Sequence, residues 1–157
     1  MIEVSLPGRQ TTLQLKNLLL DLNGTLTVDG KLISGVKERV ELLKEKLQIY
    51  ILTADTYGAG REIAKELGVN CFMVDPEDGG QHKLGLLNSM SAHNCVAIGN
   101  GYNDRLMLAQ AALSIVVIEA EGCSIQALQA ADIAVNSIND ALNLLINPLR
   151  IVATLRA

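Results

Sequence analysis

Six short apolar runs recur along this chain, and most are followed by one or two polar residues and then by a segment with helical spacing. Runs of this kind read as strands covered on both faces, since a strand between two layers needs no polar alternation. Strands joined through single helices require right-handed crossovers, which confines the chain to a parallel sheet sandwiched by helices. The expected fold class is therefore α/β, a three-layer doubly wound parallel sheet.

The runs are Leu18-Leu19-Leu20, Ile49-Tyr50-Ile51-Leu52, 71–74, Cys95-Val96-Ala97-Ile98, 114–118 and Ile133-Ala134-Val135. Helical stretches fall at Val36 to Leu47, Ala59 to Leu67, 82–90, 103–110 and 124–130. Ahead of them, 2–5 and 11–15 read as strands around a Pro7-Gly8 turn, an N-terminal β-hairpin. From Ala141 to Leu155 the chain is rich in Leu and Ile, and Pro148 interrupts it, so this is either a packing helix or part of a subunit contact. The whole reads as one domain, with residues 1–16 as hairpin extension, 17–140 as core and 141–157 as a helical segment.

Doubly wound sheets bind ligands beyond the carboxyl ends of their strands. The residues there are Asp21 and Asn23, then Thr53 and Asp55, then Asn100, Asn103 and Asp104. Taken singly each has an ordinary reading: Asp21 as a turn former, Thr53 as a helix cap, Lys83 as a solvated surface lysine, Asn103-Asp104 as a helix N-cap. Lys83 apart, their shared position at strand ends argues instead for one polar site on that rim.

Composition narrows the partners. With one Phe, three Tyr, no Trp and a net charge of -4, the chain lacks both the aromatic platforms and the basic footprint of a nucleic-acid binder. No uninterrupted apolar stretch reaches the ~18 residues of a membrane span. Cys71, Cys95 and Cys123 are odd in number, lack zinc-site spacing and sit among apolar neighbours, so they read as buried free thiols in a protein of the reducing cytoplasm.

Asp21-Leu-Asn-Gly-Thr-Leu-Thr27, Thr53 after a strand, Lys83, and Gly99-Asn-Gly-Tyr-Asn-Asp104 follow the four-motif order of the haloacid-dehalogenase-like superfamily. The chain resembles that superfamily's Rossmann-like core over nearly its whole length. Ile51-Leu-Thr-Ala-Asp55 and the Met107-Leu-Ala-Gln-Ala111 that follows the last motif are most similar to the phosphorylation domain of P-type ATPases, here standing alone.

The resemblance implies a phosphatase in which Asp21 is the nucleophile and forms a phospho-aspartyl intermediate. It implies Mg²⁺ as cofactor, held by Asp21, the backbone carbonyl of Asn23, Asn100 and Asp104. Thr53 and Lys83 would bind phosphoryl oxygens, together with the backbone near Leu22, Asn23 and Ala54 and the Asn103 side chain. Cap domains are inserted in the intervals 22–52 or 54–82, and both are filled here by the sheet's own elements, so the site is expected to be uncapped. ATP-driven transport is not expected of this chain alone.

Two positions depart from the family pattern. Hydrolytic members usually carry Asp where Asn23 stands, as general acid and then base; an amide can do neither, and such help is typically worth ~10²–10⁴ in rate. P-type ATPases carry Thr there and dephosphorylate slowly. Asn100 replaces a metal carboxylate, which should weaken Mg²⁺ binding. Both are followed by Gly, making them candidates for deamidation unless a tight turn protects them. The expected activity is a slow phosphohydrolase on a small phosphorylated substrate. The alternative is a catalytically impaired regulatory or phosphate-binding module, associated with a transport ATPase. Apolar surface on the rim, hairpin and C-terminal stretch suggests a homo-oligomer, for which the small uncapped family members offer a tetramer.

Overall fold

In this computed structural model, which describes residues 1–55 and 57–157, the apolar runs assemble as their pattern demands. The chain forms the strands β1 (Ile2–Leu6), β2 (Thr11–Leu15), β3 (Asn17–Asp21), β4 (Thr27–Val28) and β5 (Lys31–Leu32), then α1 (Val36–Lys44), β6 (Gln48–Thr53) and α2 (Ala59–Leu67). It continues with β7 (Asn70–Met73), α3 (Gly79–Ser89), β8 (Cys95–Gly99), α4 (Arg105–Gln110) and β9 (Leu113–Val117). It ends with α5 (Ile125–Ala130), β10 (Ile133–Val135), α6 (Ile138–Ile146) and α7 (Leu149–Leu155).

Six strands form one parallel sheet in the order β10-β9-β8-β3-β6-β7. Successive residues of each strand point to opposite faces, and both faces are covered. Leu18, Leu20, Ile49, Ile51, Val96 and Ile98 share one core with α1, α2, α6, α7 and the hairpin β1-β2. Leu19, Leu52, Cys95 and Ala97 share the other with α3, α4 and α5. Strand order runs outward from β3 in both directions, so the reversal lies at β3 and β8, where such sheets open a ligand crevice.

Several expectations need amendment. A second hairpin, β4-β5, follows the first core strand and was not anticipated. Its turn is Asp29-Gly30, both at positive φ (50° and 77°), the two-residue geometry that Asp-Gly favours. Helix α3 begins at Gly79 rather than at 82, since Gly79-Gly80 lowers helix propensity without preventing the turn. A 3₁₀ turn at Tyr102–Asp104 precedes α4. Of the cysteines only Cys95 is buried; Cys71 and Cys123 are partly exposed.

The C-terminal stretch packs within the subunit. Helix α6 begins earlier than 141, at Ile138, because Ser137 caps it by accepting from the amide of Asp140 at 3.0 Å. Pro148 separates it from α7, whose Ile151 is fully buried in the same core as Ile2, Val4 and Leu6 of the hairpin. The amide of Ala157 donates to the carbonyl of Pro7 at 3.1 Å, closing this contact. Two of the three apolar surfaces that suggested an oligomer, the hairpin and the C-terminal stretch, therefore cover each other within one chain.

Ile151→Ala is expected to destabilise the protein by roughly 2–5 kcal/mol in urea denaturation, the range for emptying a buried aliphatic site. A loss below about 0.5 kcal/mol, typical of surface sites, would mean that the hairpin is an appendage.

Candidate phosphate site

Asp21 ends β3 and faces the crevice, buried to 8% exposure. The chain turns sharply after it: the amides of Thr25, Leu26 and Thr27 all converge on the carbonyl of Leu22, at 3.2, 2.9 and 3.1 Å. Gly24 holds φ +77° against the Asn100 side chain, and a Cβ there would collide with the Asn100 amide nitrogen. Only glycine meets both demands.

Lys83, in the second turn of α3, reaches across with Nζ 2.7 Å from Asp21 Oδ1 and 2.7 Å from Asp104 Oδ1. It is 1% exposed. Burial by itself would lower its pKa, but the two carboxylates outweigh that and raise it, so the ammonium stays charged. The Asp21 carboxyl is pushed up to about 6, first by burial and then by the neighbouring charge of Asp104, with Lys83 and Thr25 pulling the other way.

Asp104, expected from the motif as a metal ligand, is bonded within the chain. It is fully buried, with Oδ1 on Lys83 and Oδ2 accepting from the amides of Asn100 and Gly101 at 3.0 and 2.9 Å. Gly99 makes this fold-back possible, because a Cβ there would lie 2.5 Å from the Asp104 carboxyl carbon. Both Asp104 oxygens accept hydrogen bonds, so it braces Lys83 and the loop after β8.

Asn100 instead faces Asp21. Its Nδ2 donates to the carbonyl of Gly122 at 3.0 Å, which turns Oδ1 toward the Thr25 hydroxyl at 3.2 Å. That same hydroxyl lies 3.2 Å from Asp21 Oδ2, so Thr25 shares one proton between Asp21 and Asn100. Thr25 was within the quoted motif but had no assigned role; the Gly122 contact, 22 residues on, had no sequence signal.

Thr53 is buried at the end of β6, and its hydroxyl oxygen accepts from the amide of Asp55 at 3.1 Å, leaving its O–H as a donor. Gly60 lets α2 approach it: a Cβ would lie 2.5 Å from Thr53 Cγ2. Asp55 is a helix-start residue, its Oδ2 accepting from the amide of Gly60 at 3.2 Å. Asn23 is exposed on the rim. Ala54 and Asn103 border a cleft of about 280 Å³ at the start of α3, whose charged lining is Asp75, Glu77 and Asp78 against Arg105. The Arg105 guanidinium stacks 3.8 Å over the Tyr102 ring. Asp21, Lys83, Asn100 and Asp104 thus form one bonded set with Thr25, while Asn23, Thr53, Ala54 and Asn103 stand on the same edge without direct bonds to it.

The Asn-Gly pairs are braced against deamidation. That reaction requires the following glycine nitrogen to attack the side-chain carbonyl, yet Gly24 N–H donates to Thr27 O at 3.0 Å and Gly101 N–H to Asp104.

The pKa of Asp21, near 6 and above its unfolded value, means that the folded chain binds more protons between about pH 4 and 6, and that stability falls as pH rises through that window. Asp21→Asn removes the group. In chelator-treated protein, the stability of this variant relative to wild type is expected to rise from about pH 4 to 6 and level off above about 7, followed by denaturation at each pH. A flat difference would contradict the raised value.

No protein-family profile matches the chain. Two uncharacterised proteins of Methanocaldococcus jannaschii are similar to it, one 64% identical over 39 residues, 25% of this chain and 89% of that protein. The other is 42% identical over 90 residues, 53% of this chain and 97% of that protein. A soluble P-type ATPase-like phosphatase of the same organism is 24% identical over 76% of this chain, which spans 45% of that relative. Among solved structures, the cobalt-bound deoxy-D-mannose-octulosonate 8-phosphate phosphatase of Haemophilus influenzae superposes with a TM-score of 0.73 at 15% identity, covering 89% of this chain and 92% of that one. The 3-deoxy-D-manno-octulosonate 8-phosphate phosphatase of Moraxella catarrhalis, holding magnesium and phosphate, gives 0.69 at 19% identity over 88% and 90%. The chain has the fold of the haloacid-dehalogenase-like phosphatases it superposes on, and it belongs to one family with the two Methanocaldococcus jannaschii proteins.

Proposed function

We propose that this protein is a cytoplasmic, Mg²⁺-dependent phosphohydrolase of low activity that works through a phospho-aspartyl intermediate on Asp21. The observation that carries this reading is the buried Lys83 held at 2.7 Å from Asp21 and from Asp104, because a buried ion pair of this kind contributes little to stability for its own sake. The similar phosphatases support a reaction on phosphate compounds.

By chemistry the donor set suits a hard cation that keeps several waters: carboxylate oxygens of Asp21 and Asp104, the backbone carbonyl of Asn23 and Asn100 Oδ1. When bound, the metal would neutralise phosphoryl charge beside the nucleophile. The protein's own residues do the rest. A carboxylate oxygen of Asp21 attacks phosphorus and the bond to the leaving oxygen breaks. Lys83 supplies a fixed positive charge at the reacting carboxylate, and the Thr53 O–H is a donor for a phosphoryl oxygen. Backbone near Leu22, Asn23 and Ala54, with the Asn103 side chain, completes the phosphate contacts. Asn23 cannot protonate the departing oxygen, so acyl and aryl phosphates are the favoured substrates. The cleft beside Ala54 and Asn103 is where the leaving group would sit, and it is small.

Hydrolysis of p-nitrophenyl phosphate with Mg²⁺ tests the reading. Wild type is expected to show weak turnover, Asp21→Asn none, and Asn23→Asp a gain toward ~10²-fold, the low end of general acid/base help. Equal background in all three would overturn it.

A homo-oligomer belongs to the proposal, with its contact surface on the rim. Tyr57, Tyr102, Ile118 and Ile125 are exposed near the carboxyl ends of β6, β8 and β9, the edge that carries Asp21. Light scattering is expected to show an oligomer for wild type and a smaller species for Ile125→Glu; a monomeric wild type would contradict it.

A further inference from the structure

We infer that Arg105 is a specificity-determining residue, which selects small phosphate compounds whose leaving group is of amino-acid type, bearing a carboxylate and an ammonium. This rests on the phosphatase reading above. The cleft beside Ala54 and Asn103 holds about 280 Å³, just under the ~300–1,000 Å³ usual for ligand pockets, so it admits a leaving group of amino-acid size. Two chain segments wall it. Residues 75–81 carry Asp75, Glu77 and Asp78, and the segment at the start of α4 carries Tyr102, Asn103 and Arg105. The walls meet at Gly80, where a Cβ would lie 3.4 Å from the Asn103 carbonyl oxygen. The acids and the guanidinium thus line one cavity from different elements, and among the described residues Arg105 forms no ion pair with any of them. Charge of both signs is left for a ligand.

Arg105 is held as a recognition group. Its guanidinium stacks 3.8 Å over the Tyr102 ring and its Nη1 donates to the Tyr102 carbonyl at 3.0 Å, which fixes the plane of a side chain that otherwise loses much rotamer freedom on binding. That bond occupies one of the five N–H groups of an arginine, and among the described residues the others bond to no part of the chain. A planar fork of this kind matches a carboxylate. Local structure does not ask for arginine here. It is the first residue of α4, where unpaired N–H groups place partial positive charge and a cation is disfavoured. Residues set against a local preference are expected at functional positions. The other wall is also held in shape: Asp75 Oδ1 accepts from the Glu77 amide at 2.9 Å, and the Asp75 amide donates to His82 Nδ1 at 3.0 Å. A leaving group with a carboxylate and an ammonium pairs with both walls.

Four aryl phosphates that share one phenol test this with Mg²⁺ present: O-phospho-L-tyrosine, tyramine phosphate without the carboxylate, 3-(4-phosphooxyphenyl)propanoate without the ammonium, and p-cresyl phosphate with neither. The kcat/KM for O-phosphotyrosine is expected to exceed that for p-cresyl phosphate at least ~10-fold, the size of one charge-assisted hydrogen bond in a cleft that water reaches. Arg105→Met is expected to bring O-phosphotyrosine down to the level of tyramine phosphate, through KM rather than kcat. Arg105→Lys, which keeps the charge but not the fork, should fall between them, and it answers the same question if the Met variant fails to fold. Glu77→Gln combined with Asp78→Asn should narrow the gap between O-phosphotyrosine and the propanoate. Turnover of p-cresyl phosphate as fast as that of O-phosphotyrosine, or a preference that both Arg105 variants keep, would overturn the assignment and leave the phosphatase reading standing. Turnover of none of the four would overturn both.

Discussion

The candidate site depends on one buried cation. Lys83 projects from α3 into the gap between the end of β3 and the turn before α4, and its two 2.7 Å contacts join three elements that are distant in sequence. Removing Lys83 would leave two carboxylates uncompensated in the interior, and breaking a buried pair in this way typically costs ~3–5 kcal/mol. The surrounding structure accommodates it: Gly99 admits the Asp104 carboxyl, and the Asn100 and Gly101 amides satisfy the oxygen that Lys83 does not. Asp21 is left beside the crevice with a raised pKa, because burial and Asp104 oppose its charge more than Lys83 supports it.

Position follows from topology. The order of strands reverses at β3 and β8, so Asp21 and Asn100 emerge side by side at the crevice, with Thr53 one strand away on β6. Thr25 then couples the first two through its hydroxyl. The amide at residue 100 has a structural reason that motif comparison alone conceals, since its nitrogen anchors the loop at Gly122. The departure from the family pattern is therefore coordinated with the surrounding loop.

Much of the fold was legible because the relevant physics is local and repetitive. Apolar runs without alternation required two-sided burial, and the single helices between them required parallel crossovers. Strand ends followed, and with them the candidate residues. The Asp29-Gly30 hairpin went unread, because its flanking strands are two residues each, too short for a hydrophobic period to register. The direction of the Asp104 carboxyl was not legible, since spacing places a residue on a turn without saying which way its side chain folds. The mutual cover of hairpin and α7 was hidden for a similar reason: an apolar surface in a sequence does not name its partner.

The amino-acid sequence by itself determined the parallel sheet, the rim on which polar residues collect, and the replacement of two acids by Asn23 and Asn100, because these are properties of order and residue type. Only the tertiary structure decided that Lys83 is locked between Asp21 and Asp104, that both Asp104 oxygens accept hydrogen bonds, and that Asn100 answers to both Thr25 and Gly122. Those are matters of a few ångströms between residues tens of positions apart, set by how helices and loops close over the sheet.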